Sequence, residues 1–329
     1  MSSPRARILY WSLSLGLAAL LLYWSLRGIE WARVITTLRG AKLSYLAVCA
    51  TLISMALFLR AYRWRILLLA EGNVTVADAF WATSAGYFGN NFLPARAGEV
   101  VRTLMVSARA GLSRTYVLTT ALSERMVDAI ALVVISAVVL WILPEKPGWL
   151  ADASRPFAIL GFGGVIGIAL FPRLEPWCVR KLRSLPLGEA GKDKLEHLLV
   201  QILSGVRSFH DSRRLIGFLG LTAIIWCSDA VCTVICAQAL GIDIPLPVAF
   251  LLITGLGLGS AIPSTPGYVG VYQFIAVSVL TPFGYRRDES IAYILLYQAV
   301  SYVVIGAWGL IAFWKRRRNP VPQTEPCPL

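Results

Sequence analysis

The sequence predicts an all-α, polytopic membrane helix bundle: about six full spans, plus two re-entrant hairpins of broken helix related as an inverted repeat. Three observations carry this expectation. The chain is 57% hydrophobic and only 15% charged, whereas about a quarter of a soluble domain is charged. Its apolar residues come in runs of about 17–25, the length that crosses a bilayer core. Two of the less regular apolar segments end in similar passages, "FLPARAGEVV" and "AIPSTPGYVG".

The elements follow in order. Ile8–Leu26, preceded by Arg5 and Arg7, is too long for the core of a signal peptide. No small-x-small cleavage site follows it, so it reads as a retained first span. Leu43–Leu59 is the second span, ending in "LRAYRWR". There Arg60, Arg63, Trp64 and Arg65 mix basic and aromatic character as at a membrane–water interface, either as simple anchors or as headgroup contacts. Ala77–Leu93 is moderately apolar and interrupted by Gly86, Gly89, Asn90, Asn91 and then Pro94. It reads as a half-helix that enters the membrane and stops, with Glu99–Ala110 as its returning arm. Thr115–Leu143 is a long span, and Phe157–Phe171 a short, glycine-rich one.

The region 171–214 is polar, with nine Lys/Arg against five Asp/Glu, and is expected in the cytoplasm. Leu195, Leu198, Leu199, Ile202, Leu203, Val206 and Phe209 share one helical face within it, predicting an amphipathic surface helix. Leu215–Leu240 is the next span. Val248–Ile262 is a second half-span, Val269–Leu280 its returning arm, and Ile291–Trp314 the last span. Lys315–Arg318 then places both termini in the cytoplasm. The whole chain, 1–329, reads as one membrane domain. Its first half is 43–143 with a hairpin near 77–110. Its second half is 213–314 with a hairpin near 248–281, and 315–329 is a disordered tail.

The net charge of +13 would suggest nucleic acid in a soluble protein. Here the basic residues cluster at span ends, so nucleic acid is not an expected partner; anionic headgroups account for them. The six cysteines form no CxxC pair and there are two histidines, so neither a metal site nor a cofactor is expected.

The repeat pairs Pro94 and Gly98 with Pro263 and Gly267, and it makes Gln298 a rough counterpart of Glu124. An odd number of intervening spans makes the hairpins open from opposite faces, as in transporters whose broken helices meet near the midplane. The basic loop Arg27–Lys42 falls outside on this topology, against the charge rule. Pro263 and Pro266 explain the second break by themselves.

A charge at the bilayer centre costs about 2.5–3.5 kcal/mol on insertion scales. Glu124, Arg125 and Asp128 therefore face the interior or a wet cavity, or else the true span begins near Met126. Arg125 can pair with Asp128 along the helix. Arg96, Glu99 and Arg102 sit at the first break, where a guanidinium fork suits phosphate. The second break offers hydrogen bonds without charge, from Ser264, Thr265, Tyr268 and Gln273. Candidate substrate-binding residues are thus Asn91, Arg96, Glu99, Arg102, Glu124, Arg125, Asp128, Ser264, Thr265, Gln273 and Gln298. Pro94, Gly98, Pro263, Pro266 and Gly267 shape the breaks.

Taken in order, "LRAYRWRILL", "GNNFLPARAGEVVR", "SERMVDAIAL", "IPSTPGYVGVYQ" and "LLYQAVSYVVIG" resemble the transmembrane domain of the lysylphosphatidylglycerol synthase/flippase family, over about residues 8–314. The resemblance implies a bundle with re-entrant elements that moves a polar lipid, or a lipid-linked group, between leaflets. It departs at Gln298, where the family often has arginine, and in lacking the soluble aminoacyl-transferase domain of two-domain members. The expected role is a non-enzymatic lipid translocase in the cell membrane. Expected partners are an anionic, aminoacylated or polyprenyl-linked lipid, a glycosyltransferase or other envelope enzyme, and a second copy of the chain. The alternative role is a non-transporting accessory subunit that binds a lipid carrier for such an enzyme.

Overall fold

The computed structural model describes residues 4–93, 97–143, 211–261 and 265–318, with a few further positions between 148 and 163. Every regular element among these residues is helical. In chain order the α-helices are α1 Pro4–Leu26, α2 Trp31–Arg39, α3 Leu43–Leu68, α4 Val76–Phe92, α5 Gly98–Ala110, α6 Arg114–Ile142, α7 Ser212–Ala239, α8 Leu246–Gly259, α9 Val271–Leu280 and α10 Arg287–Arg318, with short 3-10 turns at Pro266–Tyr268 and Thr281–Phe283. Four of them, α3, α6, α7 and α10, are long and apolar enough to cross a membrane, and Leu15–Leu26 and α8 are shorter apolar helices. The expected span Phe157–Phe171 and the polar segment with its amphipathic helix lie almost entirely outside the described residues.

Local chemistry sets the helix ends. Thr75 caps α4 by accepting from the Asp78 amide at 3.1 Å, and Asp78 lies in the first turn, where a carboxylate suits the helix dipole. Leu93 turns extended (φ −94°, ψ 149°), as the residue before a proline does. Gly111 closes α5 in the left-handed conformation. Asp211 caps α7 through the Arg213 amide. Pro245 precedes α8, where its missing N–H costs nothing.

α4 packs against α5 and α8 against α9, as paired arms of each expected hairpin would, but α4 is not interrupted at its glycines. α4 runs unbroken through Gly86 and Gly89 and stops only after Phe92. The glycines serve close packing instead. A Cβ on Gly98 would lie 1.9 Å from the Gly86 carbonyl, and one on Gly89 would lie 2.8 Å from the Gly98 Cα. In α8 the corresponding residues face two ways. Gly255 and Gly259 lie against Ile275 of α9, and Gly257 lies against Leu132 of α6.

Long α10 is the reference for depth. Near its C-terminal end, Trp81 of α4 lies under Lys315 (4.7 Å). Phe88 then lies against Gly309, and Phe92 against Gly306 and Tyr302. α4 therefore descends antiparallel to α10. Its hairpin is open beside Lys315 and closed beside Tyr302, the sixteenth residue of this 32-residue helix. The second hairpin comes from the other end. Tyr285, just before α10, donates to the Asp243 carbonyl just before α8. At the tip of this hairpin, Gly267 meets Tyr302 and lies near the Asn91 carbonyl. Phe92 of the first hairpin and Gly267 of the second thus meet at Tyr302, in the middle of α10.

α3 and α7 also run antiparallel. Cys49 and Cys232 exchange thiol–carbonyl contacts, Arg60 pairs with Asp229, and Arg63 bonds Thr222. α2 packs beside the N-terminal end of α10, where the Glu30 amide donates to Asp288 at 3.0 Å.

Candidate functional site

The site grows from one face of α3. Arg60, Arg63, Trp64 and Leu67 follow at the spacing that stacks side chains on a single face, and the last three are fully buried. This corrects the interfacial reading of "LRAYRWR". α3 continues to Leu68, so Arg63 and Trp64 are core residues, and Arg60 is 15% exposed in an ion pair. Their charge is tolerated because carboxylates from other helices meet it. Of the residues expected at the interface, Arg60, Arg63, Trp64 and Arg65, only Arg65 turns away, donating its Nε to the Val74 carbonyl at 2.5 Å in the α3–α4 loop.

Arg63 is the hub. It grips Asp128 with both terminal nitrogens (Nη1–Oδ1 2.7 Å, Nη2–Oδ2 2.9 Å). It also reaches Glu124 Oε1 at 2.8 Å and Thr222 Oγ1 at 2.9 Å. Glu124 and Asp128, four apart on α6, share the face that meets α3. The other oxygen of Glu124 takes Arg102 of α5 at 2.9 Å, and the Arg102 guanidinium lies over the Trp64 ring at 4.6 Å. Arg102 Nε pairs with Glu99 at 2.5 Å, and Glu99 in turn takes Arg125 Nε at 3.1 Å. The result is an alternating chain: Asp128, Arg63, Glu124, Arg102, Glu99, Arg125. A desolvated charge is costly unless paired and hydrogen-bonded; here each residue has an oppositely charged partner and at least one hydrogen bond, while Arg63 Nε, Arg102 Nε and Glu99 Oε2 make none of their own. The expected helical pair Arg125–Asp128 does not form. Arg125 points about 100° around α6 from Glu124, toward Tyr87 and Glu99, while Asp128 belongs to Arg63.

Exposure is graded along this chain. Arg63, Glu124 and Arg102 have side chains no more than 3% exposed, whereas Glu99 is 22% and Arg125 38% exposed. Tyr87 of α4 lies between this open end and a separate ion pair, Arg60–Asp229. Its ring is 5.3 Å from the Arg125 guanidinium and 5.9 Å from that of Arg60, and its hydroxyl is 3.4 Å from Arg125 Nη1. Arg60 and Asp229 are each 15% exposed. The Arg60 guanidinium also lies 5.8 Å from the Trp226 ring. Four guanidiniums (Arg60, Arg63, Arg102, Arg125) therefore face four carboxylates (Glu99, Glu124, Asp128, Asp229).

The second hairpin is neutral, and the described part of its turn is hydrogen-bonded by Gln273 and by residues of α10. Gln273 accepts from the Gly270 amide at 2.8 Å and donates to Gln298 at 2.6 Å. Gln298 donates to the Gly267 carbonyl at 3.0 Å and to Tyr302 at 3.1 Å, and Thr265 donates to the Val269 carbonyl. Gln273 and Gln298 thus hold the turn around Gly267 (φ +73°) and Tyr268 (φ +61°). Pro266 opens that turn. In the first hairpin it is Asn90 that is engaged, accepting from the Gly98 amide at 3.0 Å; Asn91 is half-buried at the tip. Pro94, Arg96, Pro263 and Ser264 lie outside the described residues. Asp229, Tyr87 and Asn90 were not among the candidates. Asp229 was the findable one, a carboxylate inside an otherwise apolar span.

No group of three or more His, Cys, Asp and Glu residues among the described residues could hold a metal ion.

The model of the lysylphosphatidylglycerol synthase TM region matches residues 11–309. A Haloferax volcanii protein named Glycosyltransferase AglD is 28% identical over 292 residues, covering 79% of this chain and 46% of the relative. The chain thus spans about half of that relative's length. A UPF0104 membrane protein of Methanothermobacter thermautotrophicus is 24% identical over 302 residues, covering 85% of each chain. No solved structure matches.

Proposed function

The chain belongs to the lysylphosphatidylglycerol synthase transmembrane-region family, a flippase-like family of multi-pass membrane proteins, and from that premise we propose that it carries a polar or charged lipid headgroup between leaflets, along a path between its two hairpins. The observation that carries this reading is the graded charge chain. It is sealed from Asp128 to Arg102 and opens at Arg125–Glu99, and the separate ion pair Arg60–Asp229 lies across Tyr87 from that open end. The sealed pairs hold α3, α5 and α6 together. The open ones receive the headgroup: a phosphate engages the guanidinium fork of Arg125, with Arg96 as a further cation from the first break. The lipid tails stay in the bilayer.

The two halves act as an inverted repeat in this proposal. Three features of the packing support it. Equivalent helices α3 and α7 run antiparallel, as inversion requires. α4 packs on α10 and α8 packs on α6, so each hairpin lies against the final span of the other half. The Arg102–Glu124 contact has a neutral counterpart in Gln273–Gln298. With Lys315–Arg318 in the cytoplasm, the first hairpin opens inward and the second outward. The basic α2 region then lies outside, held by its contact to Asp288. The uncharged second hairpin acts as the structural partner of the charged first one.

The test is leaflet exchange in proteoliposomes, using a panel of anionic, cationic and polyprenyl lipids. Native protein is expected to accelerate exchange of at least one class, and Arg125→Gln to abolish it with folding intact. No exchange across the panel refutes the reading. A second reading rests on the Haloferax relative, whose name is that of a glycosyltransferase and whose length is about twice what this chain covers. In that reading the chain presents a lipid carrier to a separate glycosyltransferase. It predicts lipid binding without exchange, and loss of function when the partner enzyme is deleted.

A further inference from the structure

We propose a second lipid site, separate from the path between the hairpins. It is a shallow depression where α4, α5 and the end of α10 meet, and it binds the phosphate of a net-anionic phospholipid from the adjacent leaflet. Its rim carries Trp81, Arg109, Lys315 and Arg316, and its floor is kept open by Ala108 and Ala312.

Three features distinguish this cluster from ordinary basic anchoring. First, its cations come from two elements and surround an indole from a third; they do not fan outward from one helix end. The Lys315 ammonium sits 4.7 Å from the Trp81 ring centre, a cation–π distance that fixes the lysine over the depression. Arg318, three residues on, stacks on Trp314 of its own helix at 4.0 Å. Second, the charges do not cancel. Arg109 is paired with Asp78 at 3.0 Å, and among the described residues no carboxylate pairs with Lys315 or Arg316. Three cations therefore face one anion, leaving two positive charges that a phosphodiester partly neutralises. Third, the place suits a lipid. Trp81 and the basic residues mark the membrane–water interface, and Arg109 lies seven residues beyond Arg102 along α5, about 10 Å from the charge chain.

The site joins the open end of the first hairpin to the last span, so its occupant bridges the two halves. It does not depend on the transport reading, and its primary test measures binding alone. Purified full-length chain is titrated with phosphatidylglycerol, phosphatidylcholine or soluble glycerol phosphate and followed by native mass spectrometry. Phosphatidylglycerol is expected to bind more tightly than phosphatidylcholine, and excess glycerol phosphate is expected not to displace it. Lys315→Gln with Arg316→Gln is expected to weaken phosphatidylglycerol at least tenfold while phosphatidylcholine is unchanged. Trp81→Leu tests the indole separately and is expected to weaken phosphatidylglycerol severalfold. Equal binding of both lipids, or unchanged phosphatidylglycerol binding in the double variant, overturns the site. Displacement by glycerol phosphate makes it a site for soluble anions and overturns the lipid assignment. Leaflet exchange by the double variant is expected at the native rate; its loss would merge this site with the transport path and overturn their separation.

Discussion

Removing Arg63 should separate architecture from transport. Arg63→Gln deletes three hydrogen bonds to carboxylates and one to Thr222, all from a side chain with no exposure. Glu124 keeps Arg102, but Asp128, 10% exposed, loses both of its bonds to Arg63. Breaking a buried ion pair by removing one partner costs about 3–5 kcal/mol, because the remaining charge is left uncompensated. Arg125→Gln is the contrast. That side chain is 38% exposed, and its carboxylate partner Glu99 keeps Arg102. Its expected cost is under about 1 kcal/mol, the range of solvent-accessible pairs. Unfolding by SDS in mixed micelles, followed by tryptophan fluorescence, measures both. Leaflet exchange normalised to folded protein measures the second property. The expected outcome is an unstable Arg63 variant and a stable, transport-dead Arg125 variant. If the two are equally stable, or if Arg125→Gln transports normally, the inference from graded exposure is wrong.

Other outcomes follow from the packing. Gly98→Ala places a Cβ 1.9 Å from the Gly86 carbonyl and should force α4 and α5 apart, costing about 1–3 kcal/mol in the same unfolding assay. Gln298→Leu strips the second turn of its bonds to Gln273, Gly267 and Tyr302 and should cost about 1–3 kcal/mol, with no direct loss of lipid binding by native mass spectrometry. Arg60→Asp and Asp229→Arg should each slow exchange, and the combined swap should recover more than half of the lost rate; additive losses would mean the pair does not act as a unit. In a cysteine-free background, Asn73→Cys and Asp243→Cys lie in the loops that open the two hairpins. A membrane-impermeant maleimide applied to intact cells should label only the Asp243 position, and labelling of both would refute the opposed openings.

The helix ends near the two Pro/Gly passages were legible because proline and glycine act locally. α4 stops after Phe92 and α5 begins at Gly98, and Gly267 and its neighbours turn the chain before α9. The partners of the charges were not legible. Whether Asp128 takes Arg125, three residues earlier on its own helix, or Arg63 on another depends on which faces meet, and that is set by packing distant in sequence. One clue was present and unused: Arg60, Arg63, Trp64 and Leu67 share a helical face, which a simple interfacial anchor does not need. The glycines of α4 misled for a related reason. A small residue permits close helix approach as readily as it permits a break, and in this helix it is the approach that the neighbours of Gly86 and Gly89 demand.

The balance of four guanidiniums against four carboxylates has an electrical consequence. Moving one elementary charge through 100 mV of membrane potential changes the energy by about 2.3 kcal/mol. A rearrangement that carries these eight groups together displaces no net charge of its own through the field. Any voltage dependence of the cycle then reports the valence of the cargo, and current measured across a planar bilayer becomes a count of the charge on the lipid headgroup.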